Sequence, residues 1–340
     1  MTKTLVERAE QNIADILECS IKYDISCQQA LVVFDTQTNL SEILTNAYKK
    51  SLPEGRFVDF NSVNQEELII MFDSLEPKDL VVLIQSSNFR LNDFRIRLNL
   101  FARGLKVIEH MHLYRNSPTT QGIYIDSLAY DQKYLIEKST GINKALIEAK
   151  SLFINYNGDT CSIDCELEVP KLNIGQYEGM ANIGGTYPIG EVFTESKVLE
   201  AINGRIYVYA FANSNFEVEL APIPFTLDIE YGKIIKWSKA TPNSFVEVLE
   251  KVKQTEDLVI RELGFGINKA ISKDPELLIK DITAFERVCG MHMSIGQKHS
   301  VYKKKDYPAH KARYHIDIFI QADLIQTDKI IIWEDESYKI

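Results

Sequence analysis

At 340 residues the chain exceeds the roughly 250–300 at which a single core usually divides, so two domains are expected. Hydrophobic residues make up 45% and charged residues 25%, the proportions of a globular protein, which excludes a disordered or fibrous chain. A net charge of −10 repels phosphate backbones and the short run Lys303-Lys304-Lys305 does not offset it, so no nucleic-acid partner is expected.

The first segment, MTKTLVERAEQNIADILE, is a mixed-charge helical pattern without a signal-peptide apolar region, and no stretch approaches the ~20 apolar residues that span a bilayer. A cytoplasmic protein with no membrane partner is the expectation. From about residue 30, short apolar runs alternate with helical patterns: ALVVFD, NLSEILTNAYKKSLPEG, RFVDF, NQEELIIMFDSL, DLVVLIQS, a helix around Leu91–Arg103, and LKVIEHM. This rhythm predicts an N-terminal α/β domain over residues 1–155 with a mostly parallel sheet and helices on both faces, Rossmann-like in plan. DTQTN follows the first strand instead of G-x-G-x-x-G, so nucleotide binding is not supported. Asp35 and Asp79, beside the apolar strands, read as helix caps in preference to ligand contacts. His110 and His112 alternate at a strand end, a weak second metal candidate with Glu109 as the lone nearby carboxylate.

A further helix is predicted over Asp131–Ala149, after which the period switches to strands. Residues 156–340 carry IYVYAFA, FTLDIEYGKIIKWS, YHIDIFIQADL and KIIIWEDESY, with a hairpin turn at Tyr231-Gly232-Lys233. Two helices are predicted among them, SFVEVLEKVKQ and DPELLIKDITAFERV, the latter capped by Asp274-Pro275. The expectation is a C-terminal mixed α+β domain. Five cysteines without framework spacing read as reduced thiols, and the Cys161/Cys165 pair as core residues ahead of metal ligands.

Four of six histidines, His292, His299, His310 and His315, lie within one short stretch. His315 and Asp317 alternate on a strand pattern, which puts imidazole and carboxylate on one face, and such a pair suits a divalent metal. The bland alternative is an exposed strand. Glu191 follows the Gly-rich, Pro-containing segment NIGGTYPIG, expected as a rigid turn, and Glu262 sits between an apolar run and the glycines Gly264 and Gly266, which permit close approach. Either glutamate alone also fits a solvated turn. Arg261 and Arg287, beside these segments, fit surface salt bridges or forks for a substrate carboxylate.

Taken in order, GEVFT, RELGFGIN, CGMHMSIG and YHIDIFI resemble the motifs of the aminopeptidase T and aminopeptidase S family of dinuclear metallopeptidases. The resemblance covers roughly residues 155–320 by motif and implies Glu191, Glu262, His292, His315 and Asp317 as ligands of one or two divalent ions (zinc, cobalt or manganese), with Glu262 also catalytic. It implies a C-terminal metal-binding catalytic domain that activates water to cleave an amide or peptide-like bond in a small molecule or short peptide, in a homodimer that Trp333 and Tyr338 help to pack. One position departs from the family: where a Tyr follows the third-motif His by seven residues, this chain has His299, with Tyr302 three further on. An imidazole there ligates metal or moves protons, so His299 is a second catalytic candidate, against the alternative of a solvated loop histidine. The chain is also similar to the smaller iron-dependent 2,5-dihydroxypyridine dioxygenases, which leaves two alternatives: a mononuclear Fe(II) oxygenase on His292, His315 and Asp317, and a non-catalytic metal-binding descendant.

Overall fold

Valine, leucine and isoleucine fill the first strands so completely that both faces are dry, the pattern of a parallel sheet covered on each side. In the computed structural model, which describes residues 3–91, 95–299, 301–307 and 312–340, β1 (Ala30–Phe34), β2 (Arg56–Asp59), β3 (Leu80–Ile84) and β4 (Lys106–His110) lie in the order β2-β1-β3-β4, all parallel. Helices connect them: α1 (Leu5–Asp15) precedes the sheet, and α2 (Asn39–Ser51) and α3 (Gln65–Asp73) follow β1 and β2. Thr4, Thr38 and Asn64 cap these helices through their side-chain oxygens. Leu31, Val33, Leu68, Phe72, Val81, Leu83 and Val107 form one apolar cluster within this sheet and its helices.

The sequence NIGGTYPIG is not the turn expected of it. Ile183–Tyr187 is a fifth strand, parallel to β4. Gly184 is required there because a Cβ would fall 1.9 Å from the Val107 carbonyl oxygen. The chain forms two compact units, each discontinuous: one of residues 1–132, 175–189 and 270–284, the other of 133–174, 190–269 and 285–340. The 156–340 block thus contributes two segments to the first unit.

In the second unit, strands join one large sheet dominated by antiparallel pairs, with the order 171–173, Glu191–Glu195, Ile260–Gly266, Gly290–Ile295, Ile316–Gln321 and Ile202–Ala212 along its site-bearing end. The hairpin joining Val218–Glu230 to Lys233–Trp237 turns at Tyr231 and Gly232, both with positive φ. Helix Asn243–Lys253 forms as expected. DPELLIKDITAFERV does not form one helix: a 3-10 turn at Pro275–Leu277 and a short helix at Ile282–Phe285 replace it. Asp281 divides them, since its buried carboxylate pairs with Arg115 at 3.1 Å and accepts the Ala284 N–H. The helix expected around Leu91–Arg103 is Ile96–Ala102, and Asn92–Phe94 lie outside the described residues. No helix among the described residues is long and apolar enough to cross a membrane.

Candidate metal centre

Strand register explains how residues more than a hundred positions apart meet. Glu191, Glu262, His292 and Asp317 lie on four adjacent antiparallel strands. Gly266 pairs with Glu191, Gly264 with both Phe193 and His292, and Ser294 with Asp317. Directly paired residues share a face and successive residues alternate, so this register puts Glu191, Glu262, His292 and Asp317 on one side of the sheet. His315, two residues before Asp317, joins them. His310 lies outside the described residues.

The donor atoms fall into two groups, Glu191/Glu262/His292 and Glu262/His315/Asp317, each with its atoms within 4.8 Å of one another. Glu262 belongs to both. His292 Nε2 lies 3.2 Å from Glu191 Oε1 and 3.5 Å from Glu262 Oε1, and His315 Nε2 lies 3.1 Å from Asp317 Oδ1. Even so, His292 Nε2 and Asp317 Oδ1 are buried without a hydrogen-bond partner among the described residues. Buried polar atoms seldom go unpaired, and here imidazole and carboxylate donors of the type that binds divalent ions converge at ion-pair distance without hydrogen-bond geometry. The residues therefore fit one or two divalent metal ions.

His315 Nδ1 lies 3.1 Å from the Lys298 carbonyl oxygen and donates to it, which turns Nε2 toward Asp317. Burial opposes the charged form of His292, but the close Glu191 and Glu262 carboxylates outweigh it and raise its pKa to about 10. His315 is likewise raised to about 10, burial being overcome by the Asp317 carboxylate. Burial pushes the Glu262 carboxyl up, yet the adjacent His292 imidazole and the hydrogen bond from His299 hold it well below the usual carboxylate range. The lowered Glu262 carboxyl beside two basic imidazoles describes a site that keeps protons where cations would otherwise sit.

His299 is buried, not a solvated loop residue, and its Nε2 lies 2.8 Å from Glu262 Oε2. Its Nδ1 accepts from the N–H groups of Val301 and Tyr302 at 3.3 and 3.4 Å, so the proton resides on Nε2 and is donated to Glu262. That tautomer suits a hydrogen-bond donor to Glu262 better than a metal ligand. Tyr302 directs its hydroxyl away, to the carbonyls of Val169 and Phe193.

Two residues of the centre carried no local signal in the sequence. Glu286 looked like one position of a helix; it is raised well above the carboxylate range by burial and the nearby Asp317 charge. Glu195 is fully buried against Arg261. Arg261 and Arg287 are not surface residues. Arg287 bonds Glu286 and lies 3.0 Å from Glu191 Oε2, offsetting part of the carboxylate charge. His110 binds no metal candidate: Tyr48 and Tyr124 engage its two ring nitrogens at 2.9 and 3.0 Å, while His112 leaves the strand in a left-handed conformation. Asp35 and Asp79 accept backbone N–H groups of Ser86 and Gln29, and Thr38 caps the helix after β1. The five cysteines are free thiols, Cys161 buried.

No family profile and no curated protein matches the chain. Among solved structures, wild-type AmpT from Thermus thermophilus is similar, with a TM-score of 0.60 and 10% sequence identity over 99% of this chain and 100% of that one. The likeness shows a shared fold across the whole length.

Proposed function

We propose that the protein is a metal-dependent hydrolase that cleaves an amide or peptide-like bond in a small molecule or short peptide. The observation that carries this reading is the position of Glu262 in both donor groups, which suits a carboxylate shared between two ions. Glu191 and His292 would hold one ion, and His315 and Asp317 the other. When bound, divalent ions supply Lewis acidity toward a carbonyl and lower the pKa of water. The fold likeness to AmpT, together with the four ordered motifs that resemble aminopeptidase T, supports the same reading.

The chain's own residues supply proton handling and positioning. His299 donates its Nε2–H to Glu262 Oε2 at 2.8 Å and so holds that carboxylate in place, and Glu262 itself would take the proton released by the attacking water and return it to the leaving amine. Arg287 pairs with Glu191 and orients it. Burial of the cluster excludes bulk water and strengthens each of these interactions.

The mononuclear oxygenase reading needs His292, His315 and Asp317 around one point, and among the described residues these three do not form one group: His292 falls with Glu191, the other two with Glu262. The discriminating experiment is turnover of a panel of aminoacyl amides and dipeptides by protein loaded with zinc, cobalt or manganese, alongside Glu262→Gln. Hydrolysis that Glu262→Gln abolishes is expected. Oxygen uptake by the iron-loaded protein, with no amide cleaved under any metal, would contradict it.

A further inference from the structure

Arg261 is the largest fully buried side chain, and its guanidinium reaches in three directions. Nε donates to Glu195, one terminal nitrogen to the Gln297 carbonyl oxygen at 2.7 Å, and the other to the Tyr302 carbonyl oxygen at 3.1 Å. Gln297 and Tyr302 bracket His299, two residues before it and three after. We infer that Arg261 is a positioning residue that sets the His299 imidazole against Glu262.

Strand Ile260–Gly266 carries both ends of this arrangement: Glu262 accepts the His299 Nε2–H hydrogen bond, and its neighbour Arg261 holds the loop that delivers the imidazole. The described residues from Gly296 to Tyr302 belong to no strand, and the N–H groups of Val301 and Tyr302 wrap His299 Nδ1. Its two ends are also tied outward, Gln297 N–H to Glu256 and the Tyr302 hydroxyl to Val169, but Arg261 joins both ends to one rigid plane. Displacing either carbonyl changes the distance between them, and with it the direction in which Nε2 points. Glu195 sits opposite Glu262 in the strand register and fixes the third arm of the fork.

A buried ion pair by itself gives little net stability, because desolvating both charges offsets their attraction. A pair kept only for packing would have no need to spend two donors on the carbonyls flanking one histidine. Lysine cannot replace the fork, since one ammonium does not present three coplanar donor directions. The inference rests on the hydrolase reading for its consequence in turnover, but the geometry it asserts is measurable without substrate.

The test uses full-length protein with ¹⁵N-labelled histidine, in which ring nitrogen shifts report the tautomer of each imidazole and His299→Gln assigns the His299 signals. Arg261→Lys keeps the charge beside Glu195, and Arg261→Gln keeps a donor without the charge, so one folded variant suffices. The expected result is that the His299 Nε2–H tautomer signature is lost or averaged, while His292 and His315 signals and the zinc bound per chain are retained. In the active enzyme, kcat would fall roughly 10²-fold with KM unchanged. Unchanged His299 signals in a folded variant would overturn the inference, as would a common shift of all three histidines with loss of zinc, which marks a general structural role. Absence of any turnover in the wild type would count against the hydrolase reading and leave the spectra to decide the positioning role.

Discussion

The His292 ring crosses Gly264 on the neighbouring strand so closely that a Cβ at position 264 would fall 2.1 Å from Cε1 and Nε2. No rotation of a methyl relieves that contact, because the ladder fixes both backbones and only the ring can move. Gly264→Ala is therefore expected to push the imidazole out of the Glu191/Glu262 group and cut metal affinity by about 10–100-fold, with an overpacking cost of ~1–3 kcal/mol. Metal content after dialysis and thermal unfolding measure the two effects. A variant that binds metal as the wild type does would remove His292 from the ligand set.

His299 is assigned to the proton and not to the metal. His299→Phe should leave the bound metal unchanged and lower kcat by ~10²–10⁴-fold, the range for loss of a general acid–base group. Elemental analysis beside steady-state kinetics separates the roles: if metal is lost in proportion to activity, the residue is a ligand. The same chemistry sets this chain apart from a site with a tyrosine here, so simple leucine amides are expected to be poor substrates and His299→Tyr to improve their cleavage.

In the parallel-sheet unit, His110 gives a pH signature. Complete burial lowers its pKa to about 3. The unfolded chain, with an ordinary imidazole pKa of about 6.5, takes up a proton first as the pH drops, so this contribution is fully present above about 6.5 and is lost progressively toward pH 3, by an amount on the order of 5 kcal/mol. Urea unfolding between pH 7 and 4 should show a steeper decline for the wild type than for His110→Gln. Equal slopes would show that the residue does not carry the dependence.

Much of the architecture is legible from local pattern. Strands such as LVVLI are dry on both faces and could only be buried, and the YG turn with two positive φ values announces its hairpin. The motif order was enough to nominate Glu191, Glu262, His292, His315 and Asp317, because each stands beside glycines or on an alternating strand. What escaped depends on distant partners. DPELLIKDITAFERV has a helical period, but the Asp281 pairing with Arg115, far away in sequence, splits it. NIGGTY reads as a turn until the Val107 carbonyl demands a glycine beside it. Glu195, Glu286 and the burial of Arg261 and Arg287 are set by cross-strand neighbours, and a lone charged residue in a sequence looks the same whether it faces solvent or another charge.

Metal stoichiometry in wild type and single-ligand variants tests the central claim, that Glu262 joins two separate ion sites. Equilibrium dialysis against cobalt or zinc should give about two ions per chain for the wild type, about one for His292→Ala and about one for Asp317→Ala, with Glu262→Ala weakening both. One ion per chain that either His292→Ala or Asp317→Ala removes completely would contradict a two-site centre.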